Sequence, residues 1–519
     1  MLNKVLYSLG LAFIILGAGI STAAGNNPKD QVGPVEVSGA VQFDVSGPVS
    51  ELEGLAPSAG SDKEKKEKPL RLIPPVGPGA GTDTAVQTAV TPLIGVTSGV
   101  GFAGVGNGDY GFTDQYAPPD TNGAVGATQY VQWVNTYLAV FDKVTGQIAP
   151  GFPKAGNAVW KGFGGPCENN NDGDPVVRYD SAANRWVLTQ FSVSTLPYMQ
   201  CVAVSTSPDA TGSYYRYAFS YGNTQFNDYP KLGVWPDGYY ITYNIFNNGS
   251  SFAGSKVCAF DRLNMINGLP ATQQCFQLSA SYGGLLPSDL DGATQPQAGS
   301  PNFVVNFGTN SLNLWKFRVN WTTPSASTLT GPLKIPVTTF AAACNGGGAC
   351  IPQPGTGQKL DSLADRLMYR LVYRNFGDHE SLVVNHTVGV GATKSKQVAS
   401  VRWYELRNPG LNTMGTGTPY VYQQGTLGTA DGIFRWMGSI AMDKQGNIAL
   451  GYSASSNSVK PSIRYTGRLA TDPLNTMQTE ALIKAGGGSQ TANLNRWGDY
   501  SAMSVDPVDD CTFWCRGPA

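Results

Sequence analysis

From about Pro118 onward the chain repeats one order of positions: a polar start, a short apolar strand, a turn that often carries Asp, Gly or Asn, and a second strand rich in aromatics. The order opens at Pro119-Asp120 and leads to Tyr130-Val-Gln-Trp133, then opens again at Asp174-Pro-Val-Val-Arg-Tyr-Asp180 and leads to Arg185-Trp186. It recurs at Asp228-Tyr-Pro-Lys-Leu-Gly-Val-Trp235 with Tyr239-Tyr240, at Asp291-Gly-Ala-Thr-Gln-Pro with Phe303 to Phe307, and at Asp365-Arg366 with Glu380 to Val384. Two more units stand at Arg435-Trp-Met-Gly-Ser-Ile-Ala-Met-Asp443 with Asn447 to Leu450, and at Arg496-Trp-Gly-Asp499-Tyr-Ser-Ala-Met-Ser-Val-Asp506 with Thr512 to Trp514. Most continue into a third strand, such as Cys201 to Ser205, Lys256 to Phe260, Leu314 to Phe317, Ser400 to Glu405 or Ser462 to Thr466. The pattern predicts an all-β protein, a β-propeller of six to eight blades with seven preferred, because radial repetition of small antiparallel sheets leaves only short, protected edges. Two β-sandwich domains in series are the alternative; they would also show short strands but do not require the same order seven times.

Ahead of these units, an apolar run from Val5 to Ile20 follows Lys4 and precedes Ser21-Thr-Ala-Ala24, the layout of a secretory signal peptide over 1–24. A membrane anchor is the rival reading, but Ser8, Gly10, Gly17 and Gly19 interrupt the run, which falls short of the roughly 20 apolar residues a span needs. Residues 25–97 are rich in Gly, Pro, Ser and Ala, nearly free of aromatics, and include Lys63-Glu-Lys-Lys-Glu-Lys68. Such a stretch cannot bury enough apolar surface to offset its ordering entropy, and a disordered low-complexity linker is predicted. The β-propeller domain is then expected over 98–519, in a monomeric protein that is secreted or periplasmic and has no transmembrane segment after signal cleavage. Trp514-Cys-Arg-Gly-Pro-Ala519 falls in mid-unit, so the last blade is expected to be incomplete unless Gly99 to Tyr110 closes the ring from the N-terminal side.

Charge and cysteine usage narrow the function classes. With 35 basic against 36 acidic residues there is no basic face for nucleic acid or an anionic membrane. Eight cysteines suit an oxidising compartment. Cys344-Asn-Gly-Gly-Gly-Ala-Cys350 reads as a stapled loop, and Cys258 with Cys275 as the closure of a strand connection. Zinc is disfavoured, because no close CxxC occurs and His379 and His386 lie far along the chain from every cysteine pair. The absence of a Gly-x-Ser-x-Gly elbow, a His-Glu-x-x-His helix and a phosphate loop sets aside common hydrolase, metalloprotease and nucleotide chemistries.

The segments Asp228-Tyr-Pro-Lys-Leu-Gly-Val-Trp-Pro-Asp-Gly-Tyr-Tyr, Arg435-Trp-Met-Gly-Ser-Ile-Ala-Met-Asp and Arg496-Trp-Gly-Asp-Tyr-Ser-Ala-Met-Ser-Val-Asp-Pro resemble those of a widespread group of uncharacterised secreted bacterial β-propeller-like proteins. The resemblance covers nearly all of the chain from Pro118. It implies an exported propeller-like protein and carries no activity.

In a propeller the polar residue opening each inner strand projects toward one mouth of the central channel. The predicted ring consists of Asp120, Asp174, Asp228, Asp291, Asp365, Arg366, Arg435, Arg496 and Asp499, lined by Tyr229, Trp436, Trp497 and Tyr500. Convergent polar groups with aromatic walls suit a sugar. Two classes follow. The preferred one is a binding module for an extracellular glycan, a cell-envelope ligand or a protein. The alternative is a carbohydrate-active enzyme on anionic sugars, a sialidase-like glycoside hydrolase or a polysaccharide lyase. There Arg366, Arg435 and Arg496 clamp a carboxylate, a pair from Asp120, Asp174, Asp228 and Asp499 serves as acid and base, and Tyr229 or Tyr500 carries a proton or attacks. Binding is preferred because neither a Phe-Arg-Ile-Pro segment nor a well-formed Asp-box occurs. The same residue types at strand starts also serve as turn acceptors and inter-blade ion pairs. No cofactor is called for; Glu168-Asn-Asn-Asn-Asp172-Gly-Asp174 has the oxygens and glycine of a calcium loop without its downstream bidentate Glu.

Overall fold

The structure, a computed structural model, describes residues 32–53, 66–67, 70–75, 83–88, 90, 92, 99–106, 108–111, 116–391, 397–408, 417–428 and 431–517. The proposed signal peptide lies outside these residues. Seven inner strands follow in chain order: β1 Thr121–Val125, β2 Val176–Asp180, β3 Gln225–Trp235, β4 Leu286–Leu290, β5 Leu367–Asn375, β6 Phe434–Met442 and β7 Ala502–Val505. Each packs beside the next, and β7 packs beside β1. Behind most of them three more strands pair antiparallel, as Arg185–Ser192, Tyr198–Ser205 and Tyr214–Gly222 do behind β2. This is a β-propeller. Because sheets stack face to face, the middle strands are apolar on both faces; Leu382 and Val383 alternate in direction and are both buried. Trp133, Trp186, Trp235, Trp315, Trp403 and Trp436 fill the spaces within and between sheets, fully buried.

The structure departs from the expected pattern in four places. First, β4 also pairs in parallel with β5, Ser288 opposite Leu371 and Leu290 opposite Tyr373, so the fourth and fifth sheets are one hydrogen-bonded surface. Second, Asp291 does not open an inner strand: it follows β4, and Asn302–Gly308 is the second strand of that sheet. Leu-Pro-Ser-Asp-Leu, with a proline and no aromatic, gave no strand signal.

Third, part of the expected disordered linker is ordered. Glu36–Gly39 pairs with Thr272–Gln277 at the outer edge of the third sheet, and Gln42–Val45 pairs with Tyr214–Gly222 at the edge of the second. Edge pairing needs backbone rather than a core, and two ion pairs lock it, Glu36 to Lys256 and Asp44 to Arg216, each 2.6 Å.

Fourth, the seventh sheet consists, among the described residues, of β7 and Phe513–Arg516. The N-terminal segment does reach it, by side chains and not as a strand. Phe102 lies 6.1 Å from the Trp514 ring, Trp514 stacks on Tyr130 at 5.4 Å, and Arg516 donates to the Val105 carbonyl.

Disulfides join Cys258 to Cys275 on facing strands, Cys344 to Cys350 across a loop, and Cys167 to Cys201, the last tying the short helix Gly165–Asn169 to the second sheet. Cys511 and Cys515 are free thiols. No helix among the described residues is long and apolar enough to cross a membrane.

Candidate functional site

The starts of β1, β2, β3, β5 and β7 converge at one mouth of the channel. Asp120, Asp174 and Tyr229 adopt φ of 44°, 46° and 56°. For non-glycine residues this left-handed turn costs about 1–2 kcal/mol each. In β3 it coincides with a bulge between Asp228 and Lys231 that re-aims both side chains.

At the centre stands Lys231, fully buried. Its Nζ lies 3.4 Å from the Tyr229 ring centroid and 4.0 Å from that of Tyr500, and donates to the Pro230 carbonyl at 2.9 Å. The two phenols are anchored by donation to backbone, Tyr229 to the Asp499 carbonyl at 3.1 Å and Tyr500 to the Pro175 carbonyl at 3.0 Å. Arg366 covers the Tyr229 ring at 4.6 Å and grips Asp365 with two bonds of 2.7 and 2.8 Å. Arg496 pairs with Asp499.

Burial pushes the Lys231 ammonium down to about 7 against the opposing pull of Asp174 and Asp120, with Arg366 adding to the drop. Burial, then the charge of Asp174, pushes Asp228 up to about 6, while Arg71, Arg366 and Arg496 hold it back. Both phenols are raised by burial, so neither is a ready base.

The ring prediction thus brings together Asp120, Asp174, Asp228, Tyr229, Asp365, Arg366, Arg496, Asp499 and Tyr500. It missed Lys231, whose only signal was a lysine inside an apolar inner-strand segment.

Beside this cluster, sharing Asp365 and Arg366 as a wall, lies a cavity of about 330 Å³. Tyr282, Asn306, Asn313 and Lys334 line it, together with Ile73 and Pro74 of the N-terminal segment. Asn313 donates to Asn306 Oδ1 at 3.0 Å, and Asn306 donates to the Gly283 carbonyl at 3.1 Å. It was hidden from the sequence because its walls come from the outer three strands of the fourth sheet, the approach to β5 and the N-terminal segment.

Four predicted residues stand elsewhere. Arg435 belongs to a separate cluster on the sixth sheet, where it grips Asp431 and Glu480 at 2.7 and 2.8 Å while Tyr452 and Arg464 share the same glutamate. Trp436 is fully buried among Leu363, Met437 and Trp497, and the Trp497 indole donates to Ser453. A bulge between Trp436 and Ser439 turns this stretch into the core. Asp291 meets Arg370 at 2.8 Å in a buried network with Asp289 and Arg178, an ion pair whose charged atoms stand 2.7 Å apart.

Two acids of the expected calcium loop accept backbone N–H groups. Asp172 accepts the Val193 and Ser194 N–H groups at 2.6 and 2.8 Å, and Glu168 accepts the Gly164 N–H at 2.7 Å. Among the described residues no three His, Cys, Asp or Glu side chains are grouped to hold a metal ion. His379 stacks on Phe376 beside Asp378, and His386 is buried against the Tyr404 hydroxyl at 3.0 Å.

No protein-family model and no curated protein matches the chain. Among solved structures it is similar to an endo-arabinase from Bacteroides thetaiotaomicron, at 15% identity over 61% of this chain and 95% of that one with a TM-score of 0.26. It is also similar to an exo-β-1,3-galactanase from Clostridium thermocellum, at 10% identity over 76% and 78% with a TM-score of 0.29. A third similar structure is a PL25 ulvan lyase, at 10% identity over 75% and 74% with a TM-score of 0.27.

Proposed function

We propose that the protein is an exported propeller that binds an extracellular or cell-envelope glycan at the channel mouth and its adjoining cavity. The observation that carries this reading is Lys334, exposed at the rim of a polar cavity already furnished with amides, a tyrosine and the Asp365–Arg366 pair, and forming no ion pair among the described residues. Amides and hydroxyls suit sugar hydroxyls, and a cation without a counter-charge favours an acidic sugar. Three disulfides support a compartment outside the cytoplasm, as does the resemblance to secreted propeller-like proteins. The test is a glycan array of neutral, uronate and sialate sugars probed with the full chain and with Lys334→Ala and Arg435→Lys. Acidic sugars should bind, Lys334→Ala should weaken them about tenfold or more, as loss of a charged hydrogen bond does, and Arg435→Lys should leave binding unchanged. Equal binding by Lys334→Ala, or no binding at all, would overturn the reading.

A catalytic reading is favoured by one observation: Asp228 at about 6 and Lys231 at about 7 sit in one cluster. Groups that exchange protons near neutral pH are what acid–base catalysis requires. It predicts new reducing or unsaturated ends on the bound sugar, lost in Asp228→Asn.

A further inference from the structure

Residues 70–75 cross the propeller face beside the mouth, and the surface beneath them is shaped to receive them. Ile73 is 6% exposed and sits among Phe191, Phe226 and Phe246. Gly283 and Gly284 make room: a Cβ on Gly283 would stand 3.0 Å from Ile73 Cβ, and one on Gly284 3.2 Å from Ile73 Cδ1. Arg71 lies 3.8 Å over the Phe226 ring, donates through Nε to the Gly249 carbonyl at 3.0 Å, and points Nη1 at Asp228 Oδ1 from 3.6 Å. Between them Leu72 is 73% exposed, and Pro74 and Pro75 are exposed. This is the alternation of an extended segment with its first and third residues read by the surface and the second ignored. The two prolines that follow hold the chain extended at low entropic cost and add no donor that must be satisfied.

We propose that this seat is a recognition site for an extended Arg-x-Ile-Pro-Pro peptide, and that the chain fills it with its own residues 71–75 as an exchangeable latch over Asp228 and the cavity. The seat is built on sheet strands and two glycines, whereas the segment is held by two side chains: buried Ile73, and Arg71 with its one hydrogen bond, its ring contact and an ion pair at 3.6 Å. That is the profile of a locally opening element on a rigid support. A tethered occupant competes at an effective concentration of roughly millimolar, so a free peptide gains access only where the tethered copy is disabled.

The test uses the full chain and a labelled synthetic peptide with the sequence of residues 69–76, followed by fluorescence anisotropy. Ile73→Asp should bind the peptide at least about tenfold more tightly than the unaltered protein. Adding Gly283→Val to Ile73→Asp should abolish that binding by filling the isoleucine position, and a scrambled peptide should not bind. Should Ile73→Asp fail to fold, Arg71→Glu vacates the Asp228 and Phe226 contacts, and the same comparison is made on it. Equal capture by the unaltered and vacated proteins, or no capture at millimolar peptide, overturns the proposal. No sugar enters the experiment, so its failure and that of the glycan reading are separate.

Discussion

Lys231 is the residue whose replacement reports most directly on the mouth. It is fully buried and its ammonium is pushed down from the ordinary 10.5 to about 7. The unfolded chain therefore holds the proton more firmly than the folded one, and the folded state is disfavoured by the full amount below pH 7, by progressively less between 7 and 10.5. At 1.36 kcal/mol per pH unit the displacement corresponds to about 5 kcal/mol. The two tyrosine faces at 3.4 and 4.0 Å favour the ammonium and work against the drop. Lys231→Met should restore about 5 kcal/mol at pH 6.5, falling to about 1.4 kcal/mol at pH 9.5, one pH unit below the ordinary lysine value. Urea denaturation followed by tryptophan fluorescence, with disulfides intact, at half-unit steps between those pH values measures it. The unaltered protein should gain stability as pH rises and Lys231→Met should not. A variant that is less stable by the same amount at every pH would refute the argument, since the acids would then be fully compensating a permanently charged lysine.

Further outcomes follow from the neighbouring groups. Because burial and Asp174 raise Asp228 from 3.8 to about 6, the folded state holds its proton longer and this group lowers stability as pH rises through that window; Asp228→Asn should flatten the change in urea midpoint between pH 4 and 6.5. Arg370→Met would leave the buried Asp289 and Asp291 carboxylates with Arg178 as their one cation, and a loss of about 3–5 kcal/mol is expected by urea denaturation; a loss under 1 kcal/mol would show that Arg178 alone sustains the network. Replacing Cys167 and Cys201 together by serine opens a loop closed over 34 residues, and a loss of about 4 kcal/mol is expected by urea denaturation without reductant. With sugars, Ile73→Asp should bind more tightly than the unaltered protein if residues 71–75 cover the ligand.

The inner strands were legible because they carry their own punctuation. An acid or arginine opens Thr121–Val125, Val176–Asp180 and Phe434–Met442, and Trp or Tyr marks the following strand. Leu286–Leu290 lacked both marks, so its unit was placed one strand late. The site was legible only as a set of starts. What separates Asp228 from Arg435 is whether a local bulge aims the side chain to the channel or the blade, and no residue type encodes that aim by itself. Lys231 was hidden because lysine in a strand ordinarily marks a solvated face. Glu36–Gly39 and Gln42–Val45 were hidden because their order comes from the sheet edges they join, not from apolar content of their own.

The unequal joints around the ring have a mechanical consequence. Between the fourth and fifth sheets neighbouring inner strands share backbone hydrogen bonds, whereas between β7 and β1, almost half a turn away, the joint is made by side chains, Trp514, Tyr130, Phe102 and Arg516 with the Lys143–Asp506 ion pair. Such a body behaves as a split collar: the continuous plate is the spring, and the aromatic clasp is the gap that yields first under strain or heat. Amide exchange should therefore quicken at Phe513–Arg516 while Ser288 to Leu290 stay protected, and the channel would widen by hinging about its stiff side rather than by dilating evenly.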